Sequence, residues 1–268
     1  MNRVAMNRVA GYLLGLLSTA VLLIGCASTP DPGPNTRAGM DRVSPVRAAE
    51  VNTRLGIGYL ERGDMQLAME KLQSALRQDS AHVPAIVTLA MIHEELGNRS
   101  QAQRHYRQAI RHAPDDGATL NSYAVFLCRQ GDFADAEANF ERALQDPFYA
   151  TPEVALLNAG ACARRAGKLE QAESHLRNAL DIDPELSGAL YHLAQLYYQK
   201  EEPFRARAFL QRFEATGEVE PEALLLGYRI ESSLGNSPDA NQYVSQLEDH
   251  FPDSREAREL RQRHHNDD

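Results

Sequence analysis

The 268-residue chain carries 28 Lys and Arg against 37 Asp and Glu, a formal net charge of -9. That field excludes nucleic acid as the main partner, because phosphate binding needs a cationic surface. Its 37 Ala and 32 Leu stand against only 12 Val and 7 Ile, with no Trp, a balance that favours helices and excludes an all-β sandwich or barrel.

The first 25 residues read as an address. Arg3 and Arg8 form a short positive region, and Gly11 to Ile24 is almost wholly apolar. Such a run is short for a bilayer span and suits the core of a signal peptide. The duplicated Met1–Ala5 and Met6–Ala10 leave two candidate starts, Met1 and Met6, and either keeps a positive region. The run ends in Leu23-Ile24-Gly25-Cys26, which resembles a bacterial lipobox. The resemblance implies cleavage before Cys26 and acylation of that cysteine with diacylglycerol and a third chain such as palmitate. Ala27, where an Asp would retain the protein at the inner membrane, implies by the same resemblance sorting to the outer membrane by the lipoprotein machinery. Cleavage removes two bases and no acid, so the net charge grows to about -11. Residues 26–48 then form an acylated cysteine and a flexible, Pro-rich tether.

A repeat organises the rest. Ala68, Ala102, Ala136, Ala172, Ala206 and Ala240 are spaced by 34, 34, 36, 34 and 34 residues. Five residues before them stand Gly63, Gly97, Gly131, Gly167, Glu201 and Gly235; seven after them stand Ala75, Ala109, Ala143, Ala179, Phe213 and Leu247. This resembles the tetratricopeptide repeat in six copies: 49–82, 83–116, 117–150, 153–186, 187–220 and 221–254. The fold expected is all-α, a superhelix of six helix-turn-helix repeats, with 255–268 as a short capping helix and tail.

Each signature residue has a task. The Gly takes a positive φ and turns the chain. Asp64, Asn98, Asp132 and Asn236 follow those glycines and suit the start of the next helix; Lys168 leaves that place without a side-chain cap. The Ala sits where the paired helices cross, with no room for a larger side chain. Glu201 replaces the Gly of repeat five, so a different middle turn is expected there. Thr151 and Pro152 are inserted between repeats three and four.

In such an array the first helix of each repeat lines a concave face. Ile57, Leu60, Val87, Met91 and Val125, with Asn121 among them, form an apolar patch there, a groove for an apolar peptide or amphipathic helix. The later repeats present Arg164, Arg165, Tyr191, Tyr198 and Arg229, which suit an acidic segment or a solvated face. Thr53 and Ile57 stand where a carboxylate clamp for chaperone tails needs Lys and Asn. Cys128 and Cys162 read most plainly as two small buried residues. A disulfide is the alternative in an oxidising compartment, if their Cα atoms approach closely enough.

No chemistry emerges. His93-Glu94-Glu95-Leu96-Gly97 lacks the second histidine of a zinc motif, and Gly160–Leu169 has neither the spacing nor the hydroxyl of a phosphate loop. The expectation is a protein with no enzymatic activity, no cofactor and no metal.

A lipobox, a Pro-rich tether, six repeats and little after them resemble the PilF/PilW family of type IV pilus biogenesis lipoproteins, the pilotins. Leu55–Leu60 (LGIGYL) in repeat one, and Leu120–Tyr123, Phe126–Cys128 and Phe133–Phe140 in repeat three, carry the resemblance in detail. It implies an outer-membrane protein on the periplasmic face. Such a protein would bind the type IV pilus secretin subunit, PilQ-like, promote its localisation and multimerisation, and support pilus biogenesis and twitching motility. A scaffold for another envelope machine, such as β-barrel assembly or peptidoglycan enzymes, shares the architecture.

Overall fold

The computed structural model describes residues 44–267; the signal segment, Cys26 and most of the expected tether lie outside the described residues. Among these, thirteen helices and no strand occur. They are α1 Pro45–Glu61, α2 Met65–Gln78, α3 Val83–Glu95, α4 Arg99–His112, α5 Gly117–Gln130, α6 Phe133–Leu144, α7 Pro152–Arg165, α8 Leu169–Ile182, α9 Ser187–Gln199, α10 Pro203–Ala215, α11 Pro221–Ser233, α12 Ser237–His250 and α13 Arg255–Asp267.

The helices pair as the period predicts, α1 with α2 through α11 with α12. The backbones of first helices also approach one another closely, in the series α1–α3–α5–α7–α9–α11, while second helices meet only through long side chains such as Gln171 of α8 on Glu137 of α6 at 2.7 Å. The stack therefore bends toward its first helices, which puts them on the concave side. The six crossing alanines are buried, five of them completely. A larger side chain at these points would open the helix pair, at a cost of about 1–3 kcal/mol.

α1 begins four residues before the expected repeat boundary at 49, so the tether call of 26–48 runs too far. Ser44 accepts a hydrogen bond from the Arg47 N–H, and Pro45 occupies the first turn, where its missing N–H costs nothing. At the other end α13 places Ala257 and Leu260 on Leu224, Leu225 and Leu247. It covers the apolar face that the last repeat would otherwise leave in water.

The turns correct two expectations. Gly63, Gly97, Gly131, Gly167 and Gly235 have φ between 72 and 85°. Glu201 has φ 59° and makes the same turn: its N–H bonds the Tyr198 carbonyl and the Glu202 N–H that of Tyr197, as Gly63 and Asp64 bond Leu60 and Tyr59. Packing imposes the repeat's turn on a residue that disfavours it. Glu201→Gly should thus raise the unfolding free energy by about 1 kcal/mol, an upward Tm shift of about 2–4 °C in thermal melts. The second correction concerns capping. Asp64, Asn98, Asp132 and Asn236 accept no hydrogen bond from the backbone N–H groups that open their own helices, so Lys168 is no exception. Asp132 instead pairs with Arg99 at 3.0 Å, joining neighbouring repeats.

The inserted residues start a helix: Thr151 is the N-cap of α7 and Pro152 its first residue, after the loop of residues 145–151. α6 ends at Leu144, and Asp146 then holds the connection, accepting from the Gly117 N–H (2.9 Å) and the Phe148 N–H (2.9 Å). Two backbone donors hold its carboxyl below the usual range. Tyr149 lies so close over Gly117 that a Cβ there would meet its ring carbon at 2.7 Å.

Candidate functional site: the concave face

The first helices bring four of the six expected groove residues together. Leu60, Met91, Asn121 and Val125 line one cleft of about 550 Å³ between the first three repeats, with Glu94, Glu95, Tyr106, Ser122 and Arg129. Met91 is half exposed (50%), and Leu60 and Val125 present only part of their surface. Ile57 is exposed but does not line the cleft, and Val87 is half-buried against the core of repeats two and three. Thr53 is not on the open face: it is buried, and its hydroxyl donates to the Ala49 carbonyl at 2.8 Å.

Sequence reasoning missed the polar wall of this cleft. Glu94 on α3 accepts from Arg129 on α5 at 3.0 Å, and the Tyr106 hydroxyl on α4 reaches the other carboxylate oxygen at 3.4 Å. Tyr106 is a core side chain of the second helix, its ring tilted against those of Tyr123 and Phe126, and its tip lines the groove. Burial, with the Glu94 charge beside it, pushes its pKa up, so the hydroxyl remains a donor. On the same side the Asn158 amide donates to Asn121 at 3.2 Å, tying α7 to α5. The signal for Tyr106 was its place in a repeat, which identifies a core aromatic but not how far its tip extends.

The arrangement is an apolar floor with a fixed ion pair and hydroxyl at its rim. It suits a helix or extended segment that buries a few large side chains and makes polar contacts at the edge. It offers no nucleophile with a base beside it. Among the described residues no three His, Cys, Asp or Glu side chains are grouped to hold a metal. None of the described helices is long and apolar enough to cross a membrane.

Cys128 and Cys162 are bridged, with Cα atoms 5.8 Å apart, so the reading of two separate buried thiols is corrected. The bond joins α5 to α7 across the boundary of repeats three and four, directly behind the concave face. Arg165 lies over it, its guanidinium 3.9 Å from Cys128 Sγ.

Beyond the bridge the face becomes polar. Arg164 is buried enough to hold its pKa below the usual arginine range. Tyr191 is pushed up to about 12 by burial and by Glu222. Arg229 pairs with Glu259 of α13 at 2.7 Å. Of the cationic residues expected there, Arg229 is thus neutralised within the fold, while Arg164 and Arg165 face no carboxylate within ion-pair distance among the described residues.

Comparison with known proteins agrees with this geometry. Family models of the tetratricopeptide repeat match residues 59–125 and 163–226, and a second such model matches 117–146. The type IV pilus assembly protein PilF of Pseudomonas aeruginosa is 28% identical over 242 residues, 90% of this chain and 94% of that protein. The crystal structure of PilW, a widely conserved type IV pilus biogenesis factor, superposes with a TM-score of 0.74 at 31% identity, covering 79% of this chain and 97% of that one. The Pseudomonas aeruginosa PilF structure gives a TM-score of 0.71 at 26% identity, over 82% of this chain and all of that one. Sequence and superposition thus agree along nearly the whole described chain, and the protein belongs to the PilF/PilW family of tetratricopeptide-repeat type IV pilus biogenesis factors.

Proposed function

We propose that this protein is an outer-membrane lipoprotein that binds the type IV pilus secretin subunit, carries it to the outer membrane and promotes its multimerisation there. The observation that carries the binding role is the cleft of Leu60, Met91, Asn121 and Val125. An apolar hollow with a polar rim sits on the concave face of a family whose members serve pilus biogenesis. The cleft shields an apolar secretin segment in transit. The acyl chains on Cys26 concentrate the bound subunits at one surface, where ring closure becomes effectively intramolecular. The lipoprotein sorting machinery delivers the pair. The protein's contribution is binding and placement, without chemical catalysis.

The test is direct binding of the soluble repeat region to the periplasmic region of a type IV pilus secretin. Met91→Glu alone, and with Leu60→Glu, should weaken binding by about 30- to 100-fold, the loss expected when a central apolar anchor meets a charge. Circular dichroism and Tm report whether the repeats remain folded. Undiminished binding by a folded double variant removes this cleft as the site. If the wild-type repeats do not bind secretin but capture a β-barrel assembly or peptidoglycan protein, the scaffold alternative replaces the proposal.

A further inference from the structure

Beyond the disulfide, the concave face carries a half-buried cation with no ion pair among the described residues. Arg164 sits in the last turn of α7, where a cation is favourable to the helix dipole, and Arg165 beside it is exposed and meets that role. Arg164 differs in being half-buried. Its Nε is inaccessible and has no hydrogen-bond partner, and no ion pair or side-chain hydrogen bond of Arg164 occurs among the described residues. Its electrostatic neighbours are Arg165 on its own helix and Tyr191 and His192 on α9. None of these supplies a negative charge at neutral pH. Other half-buried arginines of the later repeats are treated differently: Arg207 has Glu231 at 3.4 Å and Arg229 has Glu259 at 2.7 Å.

Arginine cannot escape burial by losing its proton, as a lysine or histidine does. A half-buried guanidinium whose Nε–H is shielded from water and has no acceptor therefore costs stability in the free protein. Leucine or methionine at this point would fill the same space without that cost. The residue makes energetic sense if its acceptor arrives from outside.

We propose that Arg164 is a carboxylate-binding point of the concave face, engaging an Asp or Glu side chain of the partner segment whose apolar part occupies the Leu60–Met91–Val125 cleft. The inference rests on the partner-binding reading of that cleft and names a second determinant of the partner, an acidic residue beyond the apolar one. The guanidinium offers a planar fork that fits the two carboxylate oxygens. Tyr191, bonded to Gln195, keeps its hydroxyl proton at physiological pH and stands beside the guanidinium as a further donor. Glu222 and Glu220 act on Tyr191, while no carboxylate is among the electrostatic neighbours of Arg164.

The test combines two measurements whose expected signs are opposite. In the unbound repeat region, Arg164→Leu should raise Tm by about 2–4 °C, as removal of an unbalanced buried charge in a domain of this size does. Against the secretin periplasmic region the same variant should lose at least about 10-fold in affinity, and Arg164→Lys, a charge without the fork, should fall between it and wild type. In a separate arm the Arg164 Nε–Hε resonance should shift with a hexaglutamate peptide and not with hexaglutamine or with inorganic phosphate at equal concentration. A lower Tm for Arg164→Leu would show that the fold already satisfies the guanidinium, and the proposal would fall. Unchanged secretin binding by Arg164→Leu, with binding lost in Met91→Glu, overturns the carboxylate site and leaves the cleft reading standing. Unchanged binding in both variants removes both. A shift with phosphate but not with hexaglutamate replaces the carboxylate by a free oxyanion and also overturns it.

Discussion

Replacing Cys128 by serine should lower the free energy of unfolding by about 3–4 kcal/mol. The bridged residues are 34 positions apart. On the chain-entropy account, closing a loop of that length in the unfolded chain costs about 3–4 kcal/mol. The bond also lies at a vulnerable joint. In a solenoid each repeat is held only by its neighbours. Between repeats three and four the second helix is short, and the chain then crosses residues 145–151 before α7 begins. The covalent link from α5 to α7 couples the two halves where that connection is longest. The measurement is denaturant unfolding of wild type with and without reductant, beside Cys128→Ser, Cys162→Ser and the double variant. Both single variants, the double variant and reduced wild type should coincide within about 0.5 kcal/mol, because each removes the same bond. Reduced wild type as stable as oxidised would show that the bond contributes nothing. Singles that add up in the double variant would show that each thiol acts through its own packing.

The bridge also shows where sequence reading ends. Six alanines in register, with glycines five residues ahead, were enough for the repeats, the helix pairing and the concave side, because a 34-residue period fixes which side chains meet inside one repeat. Cys128 and Cys162 occupy different positions within their own repeats. Whether they meet depends on the offset of α5 against α7, which a period alone does not contain. Glu201 is a related case. Local propensity argued for a new turn, and the packing of α9 against α10 imposed the old one. In the cleft, spacing identified Leu60, Met91, Asn121 and Val125 as first-helix residues. It could not show that Tyr106 reaches through from the second helix, nor that Ile57 and Val87 stay out of the hollow. Arg164 was legible as a concave cation but not as an unbalanced one, since burial and the absence of an acceptor are properties of the packed array.

Cys26→Ser should release the protein from the membrane almost completely while its repeats remain folded and still bind secretin in solution. The argument is one of methylenes. Each CH₂ buried in a bilayer contributes about 0.8 kcal/mol, yet a single myristoyl chain gives only marginal, reversible attachment, and stable anchoring takes two signals. A diacylglycerol thioether with a third amide-linked chain supplies them several times over, whereas serine at position 26 supplies none. Membrane partition should therefore fall by more than about 1,000-fold, read as a shift from the outer-membrane to the soluble fraction. No described helix can compensate, since none is long and apolar enough to span a bilayer. The effect on secretin separates piloting from simple binding. With the cleft intact but unanchored, secretin should remain bound, fail to reach the outer membrane and stay unassembled. Normal secretin rings in the Cys26→Ser strain would refute the piloting role while leaving the interaction. Continued membrane attachment of the variant has a different meaning. The apolar run from Gly11 to Ile24 would then have been kept as an uncleaved anchor, and an intact-mass measurement showing residues 1–25 still attached identifies that case.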